Sequence, residues 1–167
     1  MFTSKKAIVA CSLAAAIISI NASAKGKPTV ENILPNTHTC SATLKFRAQD
    51  MTYQQFVDSC NLVAIEEDYF HQKLSTQNLP IDNDLNEDLR MVIFNDYRQY
   101  NRYGSRLFGI NTNNGGMYIE GDATDANNQA SFYAHEADWL RPEFAIWNLE
   151  HEYVHYLDGR FDLKGNF

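Results

Sequence analysis

The sequence contains, at residues 147–155, the run Trp147-Asn148-Leu149-Glu150-His151-Glu152-Tyr153-Val154-His155. Within this run lies the pattern H-E-x-x-H. On a helix, residues four apart lie one turn above each other, with Cβ atoms about 5–6 Å apart. The imidazoles of His151 and His155 then both reach one zinc ion at about 2.0–2.1 Å. Glu152 points in a different direction and is predicted to be a general base rather than a ligand.

The same pattern also arises by chance on exposed, polar helices. Here apolar residues fall on several sides of the predicted helix, which is typical of a buried helix. Burying two imidazoles and a carboxylate costs free energy unless a partner satisfies them, and a metal ion is the commonest partner. The motif therefore predicts Zn²⁺ as the cofactor and a zinc peptidase as the class of enzyme. The apolar residues are Phe144, Ile146, Trp147, Leu149, Val154 and Leu157.

The third zinc ligand separates the classes of zinc peptidase. In the extended pattern H-E-x-x-H-x-x-G-x-x-H, Asp158 stands at the glycine position and Phe161 at the last histidine, so that class is excluded. The other common set is His-His-Glu, with the glutamate on a later helix. Similarity to thermolysin-like enzymes implies a separation of roughly two dozen residues or more. The sequence ends at Phe167, so we expect a truncated piece of a larger precursor. A catalytic enzyme and a non-catalytic fragment or binding remnant both remain open.

The first 24 residues have the pattern of a secretory signal peptide. Lys5 and Lys6 precede an apolar run from residue 7 to residue 20, and Ala22-Ser23-Ala24 is a small-residue cleavage site. An uncleaved anchor and a lipoprotein attached at Cys11 are the alternatives. Cleavage predicts a secreted, extracellular chain with no membrane contact. It leaves 167 − 24 = 143 residues with a formal charge of −7 − 2 = −9.

The acidic balance also limits the partners. A formal charge of −7, from 14 basic and 21 acidic residues, argues against binding nucleic acid, which needs a basic surface. The 44% hydrophobic composition excludes a fully disordered chain and a collagen-like repeat. After cleavage two cysteines remain, Cys40 and Cys60. An exported pair predicts a disulfide, with two buried thiols as the alternative.

The pattern of apolar residues, caps and turns predicts an α+β domain. Thr52 and Gln55 form a capping-box pair, and Asp96 is suited to cap a second helix. His135 is predicted to be structural, and the tyrosines Tyr97, Tyr100 and Tyr103 are predicted to pack rather than bind a ligand. The predicted elements are a flexible lead-in over 25–39, a helix over 52–74, a strand over 89–94, a helix over 97–108, strands over 117–120 and 129–137, and a helix from Pro142 to Asp158 stopped by Gly159.

Three further runs accompany H-E-x-x-H: Gly115-Gly116-Met117-Tyr118-Ile119-Glu120-Gly121, then Arg141-Pro142, then Tyr156-Leu157-Asp158-Gly159-Arg160-Phe161 directly after His155. Together they resemble the microbial collagenases, and most closely the secreted Vibrio-type group. The resemblance extends from about Cys40 to Phe167. It implies a partial collagenase-type peptidase domain over 40–167 and collagen or gelatin polypeptide as the substrate.

The resemblance also implies a fold and a role for particular residues. The fold is a zincin-like (gluzincin-type) upper half-domain, with a mixed sheet packed on helices and the H-E-x-x-H helix at its base. His151 and His155 match the zinc ligands, and Glu152 matches the catalytic glutamate. Gly115 and Gly116 match glycines that line the active-site cleft and bind substrate. Glu120 matches a Ca²⁺ ligand, with carbonyls from Gly159 onward completing that site. The residues alone favour a solvent-facing strand residue at Glu120, so calcium follows from the resemblance only.

Overall fold

The computed structural model describes residues 26–162 of the 167-residue chain, so the predicted signal peptide lies outside the described residues. Five strands form one sheet in the order β1-β2-β3-β5-β4. Within residues 26–162, four α-helices accompany the sheet. Among residues 26–162, no helix has the length and apolar character needed to cross a membrane. The elements are α1 (Val30–Ile33), β1 (Asn36–Thr39), β2 (Leu44–Ala48), α2 (Tyr53–Leu74), β3 (Leu89–Phe94), α3 (Tyr97–Phe108), β4 (Met117–Ile119), β5 (Ser131–His135) and α4 (Leu149–Phe161).

The sheet is mixed, with parallel strands at its centre and antiparallel strands at its edges. β2 pairs with β3 and β3 pairs with β5 in parallel, whereas β1 and β4 join the two edges antiparallel. The residues of β5 are all buried, and β3 is buried except at Arg90. Burial on both sides is expected for central parallel strands, because helices cover both faces of such a sheet.

Each face of the sheet has its own apolar core. One core joins the sheet to α2 and α4, through residues such as Phe56, Val63, Tyr153 and Leu157. The other joins it to α1 and α3, around Tyr100. The predicted α+β class is therefore confirmed as a five-stranded mixed sheet between helices.

The two helices predicted from their caps are confirmed. α2 begins after Thr52, whose hydroxyl accepts the amide of Gln55 while the Gln55 side chain accepts the amide of Thr52. α3 begins after Asp96, whose carboxylate accepts the amide of Gln99 at 2.7 Å. Both caps satisfy backbone donors that the first turn of a helix leaves without a partner.

The N-terminal prediction differs from the structure. Residues 36–39, predicted to belong to a flexible lead-in, form edge strand β1, and residues 30–33 form the short helix α1. The sequence analysis also missed β2, which pairs with both β1 and β3. β1 is short and polar, so its strand character comes from pairing with β2. β2 has a local signal that was overlooked, because apolar and polar residues alternate in Leu44–Ala48 and the apolar ones are buried.

The last helix begins later and ends later than predicted. It starts at Leu149 instead of Pro142, because the preceding residues pair with the end of β5. The amide of Ala137 donates to the carbonyl of Ala145 at 2.8 Å, and the amide of Trp147 donates to the carbonyl of His135 at 2.9 Å. Gly159, predicted as the stop, lies inside α4, which continues to Phe161.

A disulfide joins Cys40 to Cys60, as predicted, with Cα atoms 5.6 Å apart. Cys40 follows edge strand β1, and Cys60 lies in α2. The bond therefore fastens the outermost strand to a helix of the main core. It closes a loop with a sequence separation of 20 residues.

Replacing both cysteines, as Cys40→Ser with Cys60→Ser, is expected to lower the free energy of unfolding by about 3 kcal/mol. The physical reason is that a loop of this length restricts the unfolded chain when it is closed. Urea unfolding followed by circular dichroism measures the effect. The wild-type chain under a phosphine reductant is the control and should lose the same amount. A double variant as stable as the oxidised wild type would contradict the expectation.

Candidate metal centre and its surroundings

The imidazoles of His151 and His155 face each other on α4. Their Nε2 atoms lie 3.2 Å apart, and the two rings are nearly perpendicular, at 89° with centroids 4.7 Å apart. Two nitrogens that bind one zinc ion at a tetrahedral angle lie about 3.3 Å apart, given bonds of about 2.0–2.1 Å. The two nitrogens are therefore placed as a pair of ligands to one ion would be. His151 is exposed and His155 is half-buried.

This exposure corrects one step of the sequence analysis. α4 is not buried all round: Leu149, Tyr153 and Leu157 pack into the core, whereas the histidine side of the helix faces outward. The cost of burying two imidazoles therefore does not apply to His151. The argument for a metal now rests on the distance between the two nitrogens.

Glu152 is the buried member of the motif, with 8% of its surface exposed. Its Oε2 accepts the backbone amide of Tyr118 at 2.7 Å. Tyr118 is the central residue of β4, the strand at the edge of the sheet. The hydrogen bond thus places the carboxylate between α4 and the outer edge of β4.

Within residues 26–162, no set of three His, Cys, Asp or Glu ligand atoms within 4.8 Å of one another includes the two nitrogens of the motif. Glu152 is therefore not grouped with His151 and His155 as a third ligand. The set that does meet this distance comprises His38, Cys40 and Cys60. Its two sulfurs form the disulfide, which leaves them no thiolate to bind a metal.

The two glycines before β4 are both buried. Gly115 has a φ of +76°, and a Cβ at this position would lie 2.9 Å from Nε1 of Trp147. At Gly116 the nearest atom to a Cβ would be the carbonyl oxygen of Tyr133 at 3.4 Å. The sequence analysis expects these glycines to admit a substrate backbone. The structure adds that Gly115 admits the indole of Trp147.

Arg160 fixes the C-terminal end of α4. Its Nη1 donates to the carbonyl of Asn86 at 2.5 Å and to Oδ2 of Asp84 at 3.3 Å, and the side chain of Asp84 is 1% exposed. The carbonyl of Arg160 accepts the amide of Ile81 at 2.8 Å. The segment before β3 is thereby joined to the helix that carries the histidines.

Glu120 follows β4 and is half-buried. Burial raises the pKa of the Glu120 carboxyl, and the neighbouring Asp84 carboxylate raises it further. Two carboxylates that repel each other favour a cation between them. The expected loop of carbonyls from Gly159 onward differs from the structure, since residues 159–161 belong to α4.

Sequence reasoning missed Arg160, Trp147 and the Tyr118 amide as parts of this region. A cation in the last turn of a helix that has acidic residues in its first turn was the available signal for Arg160. No local pattern indicates that Trp147 meets Gly115, because that contact joins segments from different parts of the chain.

Comparisons with known proteins give the family to which the chain belongs. The family model described as "Collagenase" (Peptidase_M9) matches residues 11–167. The chain belongs to this collagenase family of peptidases.

Among its relatives, the "Microbial collagenase" of Vibrio alginolyticus is 46% identical over 135 residues, covering 81% of this chain and 17% of the relative. The "Microbial collagenase" of Vibrio vulnificus is 40% identical over 135 residues, again 81% of this chain and 17% of the relative. "Collagenase ColQ1" of Bacillus cereus is 29% identical over 143 residues, 82% of this chain and 14% of the relative. The chain thus spans about one sixth of the length of the Vibrio relatives that it matches.

Gly115→Ala is expected to destabilise the protein more than Gly109→Ala, by about 1–3 kcal/mol. Both glycines have a positive φ, +76° and +70°, but a Cβ at Gly109 meets nothing within 4 Å. The Gly109→Ala control therefore includes the cost of placing alanine at a positive φ. The difference between the two free energies of unfolding then measures the collision of the new Cβ with Trp147. Urea unfolding gives the two free energies, and tryptophan emission should change in Gly115→Ala alone. Equal losses would show that the indole moves aside freely.

Proposed function

We propose that the chain carries part of the active site of a secreted zinc metalloendopeptidase that hydrolyses peptide bonds in collagen or gelatin. The observation that supports it is the 3.2 Å separation of the His151 and His155 Nε2 atoms, beside the buried carboxylate of Glu152. The collagenase family gives the substrate class. We expect the domain to be the zincin-like, gluzincin-type upper half-domain, within a partial peptidase domain over residues 40–167.

Each residue of the motif has a separate task in this proposal. His151 and His155 hold the zinc ion through Nε2. When bound, zinc supplies a water of lowered pKa and polarises the carbonyl under attack. Glu152 accepts the proton from the water as general base, because its carboxylate is close to the helix turn of the histidines but is not grouped with them as a ligand.

The edge strand β4 is the proposed place for the substrate backbone. An extended polypeptide can add to an exposed sheet edge through main-chain hydrogen bonds. The Tyr118 amide points away from β5, since it donates to Glu152. A substrate strand on this edge would pass directly beside the general base, next to the segment of Gly115 and Gly116.

Residues 26–162 supply two of the three or more protein ligands that zinc sites use. We therefore expect this chain by itself to bind zinc more weakly than a three-ligand site. The same observation favours the second candidate function, a non-catalytic fragment or binding remnant of such an enzyme, for the isolated chain.

Secretion fits two features of the chain. The signal-peptide pattern over residues 1–24 predicts export. The Cys40–Cys60 disulfide is typical of oxidising compartments. We propose an extracellular protein that has no nucleic acid or membrane partner after signal cleavage.

Calcium is proposed at Glu120. Ca²⁺ binds six to eight oxygens and prefers carboxylates among them. Glu120 offers one, and the nearby Asp84 carboxylate adds negative charge. Arg160 already pairs with Asp84 at 3.3 Å, so Glu120 is the carboxylate that a cation would reach.

Metal binding tests the histidine pair directly. Co²⁺ or Zn²⁺ added to the chain should bind. His151→Ala and His155→Ala should each weaken binding by more than the about 10–100-fold that is typical for loss of a residue that only orients a ligand, because each removes one of two ligands. His38→Ala is the matched control and should bind as the wild type does. Isothermal titration calorimetry and the Co²⁺ absorption spectrum give the affinities. Unchanged affinity in both motif variants would refute the site.

Glu152→Gln tests whether Glu152 acts as the general base and not as a zinc ligand. We expect it to bind the metal as tightly as the wild type and to lower the cleavage of gelatin about 10²–10⁴-fold, since the general base is lost. Cleavage is followed with a quenched fluorescent gelatin. Glu150→Gln, on the exposed side of the same helix, is the control and should cleave normally. Full activity in Glu152→Gln would contradict the assigned role. A zinc-loaded wild-type chain without activity would favour the non-catalytic candidate.

Glu120→Gln tests calcium through stability. Because burial and Asp84 raise the folded-state pKa, the folded chain loses stability as the pH rises through that pKa. Glutamine carries no charge at residue 120, so the variant avoids the cost of ionising Glu120 in the folded chain. In EDTA at neutral pH, Glu120→Gln should therefore be at least as stable as the wild type. A hundredfold excess of Ca²⁺ over Kd should stabilise the wild type by about 2.7 kcal/mol and leave Glu120→Gln unchanged. Glu87→Gln, at an exposed residue, is the control. Equal stabilisation of both variants would exclude Glu120.

A further inference from the structure

Three side chains that can bind a metal ion meet where edge strand β1 faces helix α2. A ring nitrogen of His38 and the sulfurs of Cys40 and Cys60 all lie within 4.8 Å of one another. We refer to these three residues as the β1–α2 cluster. The cluster lies at the opposite edge of the sheet from β4, the strand that donates a hydrogen bond to Glu152.

The periods of a strand and of a helix bring the cluster together. Alternate residues along a strand point to the same side, so His38 and Cys40 both point toward α2. On the helix, Phe56 and Cys60 lie one turn apart. The ring of Phe56 stacks on that of His38, with centroids 5.2 Å apart and planes at 13°. Cys60 is bonded to Cys40. Two strand residues are thus matched to two helix residues, which places the imidazole beside the sulfurs.

The ring of His38 is oriented by aromatic contacts. Phe56 stacks on it, and Tyr53 meets it at 5.7 Å and 78°. Neither contact is a hydrogen bond to a ring nitrogen, so the nitrogens stay able to bind a metal. All three members of the cluster are half-buried, which leaves them within reach of water, a small reductant and a metal ion.

Reduction of the disulfide turns the cluster into a set of metal ligands. A phosphine breaks the sulfur–sulfur bond by giving up two electrons, and it becomes a phosphine oxide with the oxygen of one water molecule. The two protons of that water go to the sulfurs of Cys40 and Cys60. A low-molecular-weight thiol does the same when two of its molecules are oxidised to a disulfide. Both protein thiols then lose their protons to solvent when a metal ion binds.

The distances suit one tetrahedral ion. With bonds of about 2.3 Å to sulfur and about 2.0–2.1 Å to nitrogen, two sulfurs on one zinc ion lie about 3.8 Å apart, and a sulfur and a nitrogen about 3.6 Å apart. The three ligand atoms already lie within 4.8 Å of one another. The Cα atoms of Cys40 and Cys60 are 5.6 Å apart, so rotation of the two side chains is enough to separate the sulfurs.

We propose that the reduced chain binds one soft divalent metal ion, Zn²⁺ in a medium that contains zinc, through the thiolates of Cys40 and Cys60 and the imidazole of His38. Two thiolates and one imidazole form a Cys₂His set, which leaves one position of a tetrahedral ion to water. Thiolates select zinc, whereas Mg²⁺ and Ca²⁺ prefer oxygen ligands. The site has three protein ligands, so it should bind zinc more tightly than the two histidines of the motif do.

The metal ion and the disulfide are alternative links between β1 and α2. Thiolates that bind a metal cannot at the same time be bonded to each other, so oxidation of the cysteines releases the ion. The reduced chain with its metal bound keeps the edge strand fastened to the helix. This inference goes beyond the proposed function and does not depend on it, because the histidine motif takes no part in the site.

The test is a Co²⁺ titration of the full chain. Cys11→Ser removes the third cysteine of the sequence, and His151→Ala with His155→Ala removes the motif, so bound Co²⁺ reports on the β1–α2 cluster. This parent chain is reduced with a phosphine under nitrogen and compared with the same chain left oxidised. We expect the reduced chain to bind one Co²⁺ with an intense sulfur-to-cobalt charge-transfer absorption, which Zn²⁺ removes by displacing the Co²⁺. The oxidised chain should show no such absorption.

Variants of the parent chain identify the ligands. Cys40→Ser and Cys60→Ser should each lower the absorption per bound ion, because one thiolate remains. His38→Ala should weaken binding by more than about tenfold, the smallest loss typical of a residue that only orients a ligand. Thr37→Ala is the matched control, since Thr37 is an exposed neighbour on β1 that points to the other side of the strand. It should bind as the parent does, and circular dichroism checks that each variant is folded.

Urea unfolding gives a second measurement. Zn²⁺ should raise the urea midpoint of the reduced parent chain relative to EDTA, because it restores the link between β1 and α2, and it should leave the oxidised chain unchanged. Three results would overturn the proposal: no charge-transfer absorption after reduction, equal metal binding by the oxidised chain, or equal affinity in His38→Ala. Because these chains lack the motif, such a failure would leave the proposed function intact. Failure of the motif variants would likewise leave this site intact.

Discussion

The buried contact of Arg160 with Asp84 and the carbonyl of Asn86 sets the position of the last helix. α4 carries both histidines and Glu152, and its C-terminal end is also joined to the segment before β3 by the hydrogen bond from the Ile81 amide to the Arg160 carbonyl. Removing one member of a buried ion pair typically costs about 3–5 kcal/mol, because the other charge stays buried without a partner. The orientation of the motif relative to β4 therefore depends on a guanidinium that does no chemistry.

The two edge strands of the sheet, β1 and β4, are held in place by different interactions. The disulfide and the pairing with β2 secure β1, whereas β4 is short and is joined to α4 by the hydrogen bond from the Tyr118 amide to Glu152 and by the packing of Tyr118 on Tyr156. Exposed strand edges are sites where another chain can pair. The chain thus fastens one edge covalently and keeps the other beside the buried carboxylate of Glu152, the proposed general base.

The parts of the fold that sequence reasoning predicted are those with local signals. α2 and α3 each have a side-chain cap, and β3 is an apolar run that needs no partner to be recognised. β1 is polar and short, and only its pairing makes it a strand, whereas the alternating apolar residues of β2 were a local signal that was overlooked. Residues 142–148 resemble the start of a helix, but their backbone groups bond to the end of β5, a contact between residues whose proximity no periodicity encodes.

The site divides in the same way. The spacing of His151 and His155 on one helix brings their imidazoles close together, so the motif alone predicted this proximity. The indole against Gly115 and the anchor of Arg160 each join distant segments, and they became visible only in three dimensions. The sequence argument from burial failed at His151 because a helix can have apolar residues on several sides and still leave one side open.

The hydrogen bond from Tyr118 to Glu152 affects how an inactive form of this protein should be made. An alanine at residue 152 would remove the acceptor and leave a main-chain donor in a nearly dry position, an omission that costs about 1–3 kcal/mol. Strand β4 would then shift or take up solvent at Tyr118, and any loss of activity would reflect a deformed sheet edge as much as the loss of the proposed base. Glutamine has the shape of glutamate and keeps an oxygen that accepts the Tyr118 amide. Glu152→Gln therefore removes the proposed proton acceptor without removing the hydrogen bond that holds β4 in place.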